Sequence, residues 1–412
     1  MSVVKPFRAY RPKPELAPEV ASFPYDVLSS DEARALAEGN PYSFLHVCKP
    51  EIDLAPSVPL YDDSVYAMGA ANLRRFIADG ILVKDADRHL YVYQQRMGTH
   101  VQAGVVGLCS VAEYEEGLIK RHEFTRKDKE DDRTRHVLVQ NANGEPVFLT
   151  YRALTDIDTM VDRVRVRPPA YDFVATDGIG HTLWVVEDPV EEDVIRRLFA
   201  SVPALYVADG HHRTAAAVRT GQALRAKSGT HTGEEPFEYF MAVVFPHNQL
   251  QIMDYNRVVR DLNGLAAAEF IEKIRPSFDV ASARDPKPER PATFGMYFQE
   301  QWHRLTAKPG TYPENDPVKG LDVSILQDNL LAPILGITDP RTDKRIDFVG
   351  GIRGTQELEK RVNGGWAVAF SLYPTSLNQL MAVADAGQVM PPKSTWFEPK
   401  LRSGLTVRLI ED

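Results

Sequence analysis

The residues best suited to chemistry are Asp209-Gly210-His211-His212-Arg213, set between the apolar run Tyr206-Val207-Ala208 and the helix-forming stretch TAAAV. The pattern reads as a buried strand, a tight turn and a helix start. A helix start presents backbone N–H groups and a positive dipole end, which together bind anions. Gly210 lets a ligand approach the backbone closely. Arg213 suits phosphate through its planar fork, and one or both histidines add donors. The bland reading is that Asp209 only caps the helix and the histidines lie on the surface. A cap alone, however, does not need His-His-Arg beside it.

The second concentration runs from Lys120 to His136, with basic residues at 120, 121, 126, 127, 129, 133 and 135 and acids at 123, 128, 130, 131 and 132. Such a run usually forms a solvated helix laced by i,i+4 pairs, here Glu123–Lys127 and Asp131–Arg135. A phosphoryl site wants the same residue types: arginine to neutralise charge and a carboxylate to orient or deprotonate a hydroxyl. Glu123 is therefore the candidate base. His122, Arg126, Arg133, Arg135 and His136 are candidate substrate ligands. Lys393, in the loop PPKSTWFEPK, is a further one, since the loop can line a pocket beside Trp396, although packing of Trp396 and Phe397 explains it equally well. KST lacks the glycines of a Walker A loop, and no GxGxxG or HExxH occurs. No metal ligand set is visible. The expected metal is Mg²⁺, held mostly through substrate phosphates.

The elements that must position these residues emerge from the apolar pattern. Helices are predicted from Ser30 to Gly39, over 63–79, from Pro189 to about Ala200, and after the His-His-Arg turn. Strand pairs are predicted at 90–97 with 101–111, at 237–246 with 250–259, and within PERPATFGMYFQEQWHRL. Ser43–Val47, HTLWVV, ALYVADG, GWAVAFSLYP and GLTVRLI also read as strands. LDVSILQDNLLAPILGI reads as an amphipathic helix ending at Gly336, and TSLNQLMAVADAG as a helix capped by Thr375 or Ser376. Residues 281–291 and 307–317 read as surface loops. Hairpins are frequent and strict βα alternation is missing, so the expected class is α+β with mixed and antiparallel sheets. The expected regions are 1–115, 116–262 with the His-His-Arg turn, and 263–412.

The 412 residues fit two to three domains of about 150 residues each. A quarter of the residues are charged and 43% hydrophobic, enough for a real core. Lys+Arg 48 against Asp+Glu 57 gives a net charge of −9. That opposes nonspecific binding to nucleic acid or an anionic membrane, while leaving room for a local basic pocket. Cys48 and Cys109 form no CxxC pair, so neither a zinc site nor a disulfide framework is expected. The first twenty residues carry four prolines and no apolar core of a signal peptide. A cytoplasmic protein with a small phosphorylated ligand, and with no nucleic-acid or membrane partner, is the expectation.

The segments KPFRAYRP, SFPYDVLS, NPYSFLHVCKPEID, KRHEFTRKDKEDDRTRH, HTLWVV, YVADGHHRTAAA and MPPKSTWFEPKLRSGL together resemble the bacterial family DUF 1015 over nearly the whole chain. Within it, ADGHHR resembles the motif of the ParB/sulfiredoxin-like superfamily, which includes free-serine kinases. That local resemblance implies a ParB/sulfiredoxin-like core with added N- and C-terminal elements. It also implies phosphoryl transfer to or from the hydroxyl of serine. Gly210, His211, His212 and Arg213 would then hold phosphate, and Asp209 would act on the reacting centre or its metal. The alternative is a ParB-like nucleotide-binding switch without small-molecule catalysis. A structural or interaction protein in which the motif is vestigial is the third reading.

Overall fold

The apolar runs LYVYQQRM and VQAGVVGLCSV form an antiparallel pair, β1 (Tyr91–Met97) and β2 (His100–Ser110). In the computed structural model, which describes residues 2–229 and 231–411, this pair lies within an eight-stranded sheet. The other strands are β3 (Ile119–Lys120), β4 (Val147–Tyr151), β5 (Tyr171–Val174), β6 (Gly180–Val185), β7 (Leu205–Asp209) and β8 (Tyr239–Pro246). Their order is β3-β7-β4-β8-β2-β1-β6-β5. The β3–β7 and β4–β8 pairs are parallel and the rest antiparallel, so the sheet is mixed. Strands buried on both faces read as continuous apolar runs, as β4 and β8 do.

Helices α1 (Ser30–Ala37), α2 (Asp63–Ala78), α3 (Lys127–Gln140), α4 (Thr155–Arg165), α5 (Pro189–Ala200) and α6 (His211–Arg225) accompany this sheet. Helix α1 begins with a capping box in which Ser29 and Glu32 satisfy each other's backbone N–H groups. Ile157, Val161 and Val164 of α4, with Ile195 and Phe199 of α5, share a core with Val92, Val105, Leu149 and Val207 of the sheet. A second core joins Ala33 of α1 and Phe76 of α2 to Phe44 and to Val407 near the C-terminal end.

All of this lies in one compact unit, made of Met1–Lys120, Thr125–Leu250 and Pro399–Asp412. The second unit comprises Arg121–Phe124 and Gln251–Glu398. It holds an antiparallel six-stranded sheet of β9 (Tyr255–Val259), β10 (Phe278–Ser282), β11 (Thr293–Phe298), β12 (Gln301–Ala307), β13 (Ile346–Gly350) and β14 (Val368–Leu372). The order is β10-β12-β11-β14-β9-β13. Helix α7 (Leu377–Asp385) starts with a capping box between Ser376 and Gln379.

The α+β class with mixed and antiparallel sheets is therefore observed, with local departures. Ser43–Val47 is not a strand: Leu45–Cys48 makes a helical turn, and Phe44, Leu45, Val47 and Cys48 are all buried, so no two-residue alternation exists. The runs 237–246 and 250–259 do not pair. Strand β8 joins β2 and β4, whereas Gln251–Met253 pairs with Trp396–Glu398 and β9 with β13 and β14. The helix expected to end at Gly336 is only Asp322–Leu326 before it widens into a π turn at Gln327–Leu331. GLTVRLI contributes just Arg408–Leu409 as strand. A boundary at 115/116 cuts through the first unit, because strands on both sides of it share one sheet.

Candidate functional site

Strand β7 carries Asp209 to the site through a bulge. Val207 lies opposite Leu149 and Asp209 opposite Phe148, so Ala208 is the extra residue that bends the strand end and re-aims the turn. The Asp209 side chain keeps 27% of its surface exposed at the end of an otherwise buried strand. It accepts hydrogen bonds from the Gly210 N–H at 2.8 Å and from Lys400 Nζ at 2.9 Å. Burial opposes its ionisation, but Lys400 and Arg213 outweigh burial and hold the carboxyl below the usual range.

Gly210 is in the left-handed region (φ 84°) and caps α6 without a side chain. A Cβ there would stand 3.0 Å from Arg213 Nε, so backbone and space both require glycine. His211 is buried in the first turn of α6. Nε2 of His212 accepts a hydrogen bond from the Arg126 N–H at 3.1 Å, which leaves the proton of the neutral ring on Nδ1. That bond ties the start of α3 to the start of α6. Farther along, Arg219 of α6 pairs with Glu130 (3.3 Å) and Asp131 (2.5 Å) of α3. The basic-acidic segment from Thr125 onward thus lies beside the turn.

Arg213 does not point outward. It is buried, donates from Nη1 to the Pro146 carbonyl at 2.6 Å, and places Nη2 3.6 Å from Asp26 Oδ2. Behind it Arg133 lies 4.0 Å from the Tyr25 ring centroid, donates to Asp132 Oδ2 at 2.9 Å, and sits 3.8 Å from Glu145 Oε2. Glu145 accepts the Tyr25 N–H at 3.0 Å. Burial pushes its carboxyl up against the opposing pull of Arg213 and Arg133. A 40 Å³ cavity touches Arg133, His136, Glu145 and Arg213, room for a water or two rather than a substrate.

Several candidate ligands are therefore used elsewhere. Arg133 serves the buried ion cluster. His136 is buried edge-on to Tyr66, and burial together with Arg133 keeps it neutral by lowering its pKa well below the usual value. Arg135 pairs with Asp63 and stacks over Tyr66, so the expected Asp131–Arg135 pair gives way to Lys127–Asp131 and Arg219–Asp131. Arg126 is exposed and pairs with Asp128. His122, Glu123 and Lys393 belong to the second unit. His122 is buried, and its carbonyl accepts the Met390 N–H at 2.8 Å. Glu123 precedes the first turn of α3, so it is not an i,i+4 partner of Lys127 on that helix. Lys393 adopts a left-handed backbone, its carbonyl accepts Arg257 Nη2 at 3.0 Å, and its ammonium lies 5.8 Å from the Tyr255 ring centroid.

Within the first unit, His231, Glu235 and Glu238 bring ligand atoms within 4.8 Å of one another. Arg225 already occupies Glu238, and Glu235 accepts the Thr232 and Gly233 N–H groups, so this cluster suits Mg²⁺ poorly. At the turn, both Asp209 oxygens are engaged, by the Gly210 N–H and by Lys400, so a Mg²⁺ there would be carried by phosphate oxygens.

The family model for "Protein of unknown function (DUF1015)" matches residues 4–324. The chain belongs to the DUF1015 family. Comparison with curated proteins gives no match. Among solved structures, this DUF1015 protein is similar to a free serine kinase in complex with AMP, with 12% identity over 73% of this chain and 91% of that one and a TM-score of 0.37. It is similar to SbnI with a C-terminal truncation from Staphylococcus aureus, with 12% identity, 74% and 87% coverage and a TM-score of 0.39. A conserved hypothetical protein from Pyrococcus furiosus gives 12% identity, 74% and 95% coverage and a TM-score of 0.37. Lys400, Glu145 and Asp26 also surround the Asp209 turn of this DUF1015 chain, and none of them is among the candidates read from the sequence. Lys400 had one signal, its place in the family-like segment MPPKSTWFEPKLRSGL.

Proposed function

We propose that this DUF1015 protein transfers a phosphoryl group to or from the hydroxyl of free serine, with a nucleotide or pyrophosphate as partner. The observation that carries the reading is the Asp209 carboxylate, held by Lys400 and the Gly210 N–H, at a left-handed glycine that opens a helix. In the forward direction the serine oxygen bonds to phosphorus, the donor's P–O bond breaks, and the hydroxyl proton passes to a carboxylate. Asp209 orients that hydroxyl. Gly210, His211 and His212 hold phosphate at the positive end of α6. Arg213 acts from behind, through Asp209 and Asp26. Mg²⁺, when bound, supplies charge neutralisation on the phosphates. Catalysis of this kind rests on positioning and charge stabilisation. The identity of serine comes from the motif resemblance alone.

The test incubates the protein with Mg²⁺, serine and ADP, ATP or pyrophosphate, and in reverse with phosphoserine and AMP, ADP or phosphate. Turnover is expected, with a loss of about a hundredfold or more in Asp209→Asn. Glu123→Gln in the same assay tests the proposed base. No turnover with any donor, together with unchanged ligand binding by Asp209→Ala, overturns the reading and favours the nucleotide switch.

A further inference from the structure

We propose that Lys400 is a positioning residue of the Asp209 site, aiming its carboxylate and supplying its counter-charge. Its ammonium lies 2.9 Å from Asp209 Oδ2, while Oδ1 takes the Gly210 N–H, so the two bonds fix both oxygens. The lysine side chain is itself only 11% exposed. Holding so long and flexible a side chain in one place is entropically costly, so something must seat it.

The seat is built from the sheet. Gln95 of β1 donates from Nε2 to the Lys400 carbonyl at 2.8 Å. Gln102, its cross-strand neighbour on β2, donates to Gln95 Oε1 at 3.0 Å. Both glutamines are fully buried. Buried amides are tolerated only when bonded, and an apolar side chain would fill the same space without that demand. The pair instead anchors the backbone of a residue 191 positions from its ionic partner. The charged groups facing Asp209 within the first unit are Lys400, from the returning C-terminal segment, and Arg213 of α6; His211 and His212 come next at the helix start. Removing Lys400 leaves Arg213 to oppose burial.

This inference deepens the phosphoryl-transfer reading, yet its first readout does not depend on turnover. Carbon-13 NMR of labelled aspartate carboxyls, with Asp209 assigned by its loss in Asp209→Asn, tracks the titration directly. In the wild type, Asp209 should stay ionised down to acid unfolding. In Lys400→Met it should take up a proton while the protein is still folded, above about pH 4, the ordinary aspartate value, and Lys400→Arg should restore the wild-type behaviour. Should Lys400→Met fail to fold, Gln95→Leu keeps the charge but unseats the lysine, and the Asp209 carboxyl should again titrate at higher pH. An Asp209 signal unchanged in whichever of these variants folds overturns the proposal. In the serine assay, Lys400→Met should lower kcat about a hundredfold and move the acid limb of the pH profile upward. A wild type without turnover would count against phosphoryl transfer while leaving the NMR result to decide the role of Lys400.

Discussion

Replacing Arg213 with alanine is expected to cost on the order of 3 kcal/mol of folding stability, because it strands Asp26 and the Pro146 carbonyl beside a buried space. Chemical denaturation measures this, and an undisturbed stability would mean that Arg213 is a surface ligand after all. Gly210→Ala should cost about 1–2 kcal/mol from the left-handed backbone alone, with the contact to Arg213 added. His46 gives a pH dependence of defined sign. Its Nδ1 lies 2.7 Å from Asp53 Oδ1 and its Nε2 3.1 Å from the Asn40 carbonyl. Both partners only accept, so the imidazolium, with a proton on each nitrogen, is the form that satisfies both. The bond to Asp53 raises its pKa despite burial. The stabilisation is fully present below about pH 6.5 and is lost as pH rises through the folded value. The stability gap between wild type and His46→Gln should therefore be wider at about pH 5.5 than at about pH 8.5. At this scale the strand-to-helix turn at Asp209 to Arg213 was legible because its residues are contiguous, whereas the inward course of Arg213 was not. Arg133 and His136 were misjudged because charge was equated with exposure, whereas Asp132 and Glu145 accompany Arg133 into the interior.

Helix α7 depends on the reciprocal bonds of Ser376 and Gln379, so Ser376→Ala should lower stability by about 1 kcal/mol, read by urea denaturation. Near the start of the short helix Asp322–Leu326, burial pushes the Asp322 carboxyl up to about 7 although the Ala292 N–H bonds it. Between about pH 4 and pH 7 the unfolded chain has released this proton and the folded one has not. Stability should thus fall with rising pH across that window, then level off. Asp322→Asn should flatten this slope, which denaturation at several pH values will show. Elements were legible where a pattern is local: the Ser29 and Ser376 caps, the β1–β2 hairpin, and the strand leading into α6. They were illegible where a distant partner decides. The segment Ser43–Val47 has enough apolar residues for a strand, yet Leu45–Cys48 makes a turn of helix that packs with Phe76 of α2 and offers the His46 carbonyl to Asn72. Likewise β8 and β9 look like neighbours in sequence but pair with separate sheets.

Across the whole molecule, no helix among the described residues is long and apolar enough to cross a membrane. The first unit takes its last piece from Pro399–Asp412, after the chain has passed through the second unit. Leu401, Leu405, Val407 and Ile410 are buried there, and Arg408 is fully buried on the Tyr239 and Pro236 carbonyls. At about 1.5–3 kcal/mol for each apolar side chain, this piece rivals the roughly 5–15 kcal/mol stability of a typical domain. A chain ending at Glu398 should therefore lack a cooperative melting transition for the first unit, as calorimetry would reveal; a fragment that melts like the full chain would refute this. The same arrangement orders events during synthesis. Ribosomes deliver Asp209 long before Lys400, so the nascent first unit waits with an unfilled seat between its glutamine pair and its aspartate while the second unit is translated. Chaperone dependence should therefore concentrate in that interval.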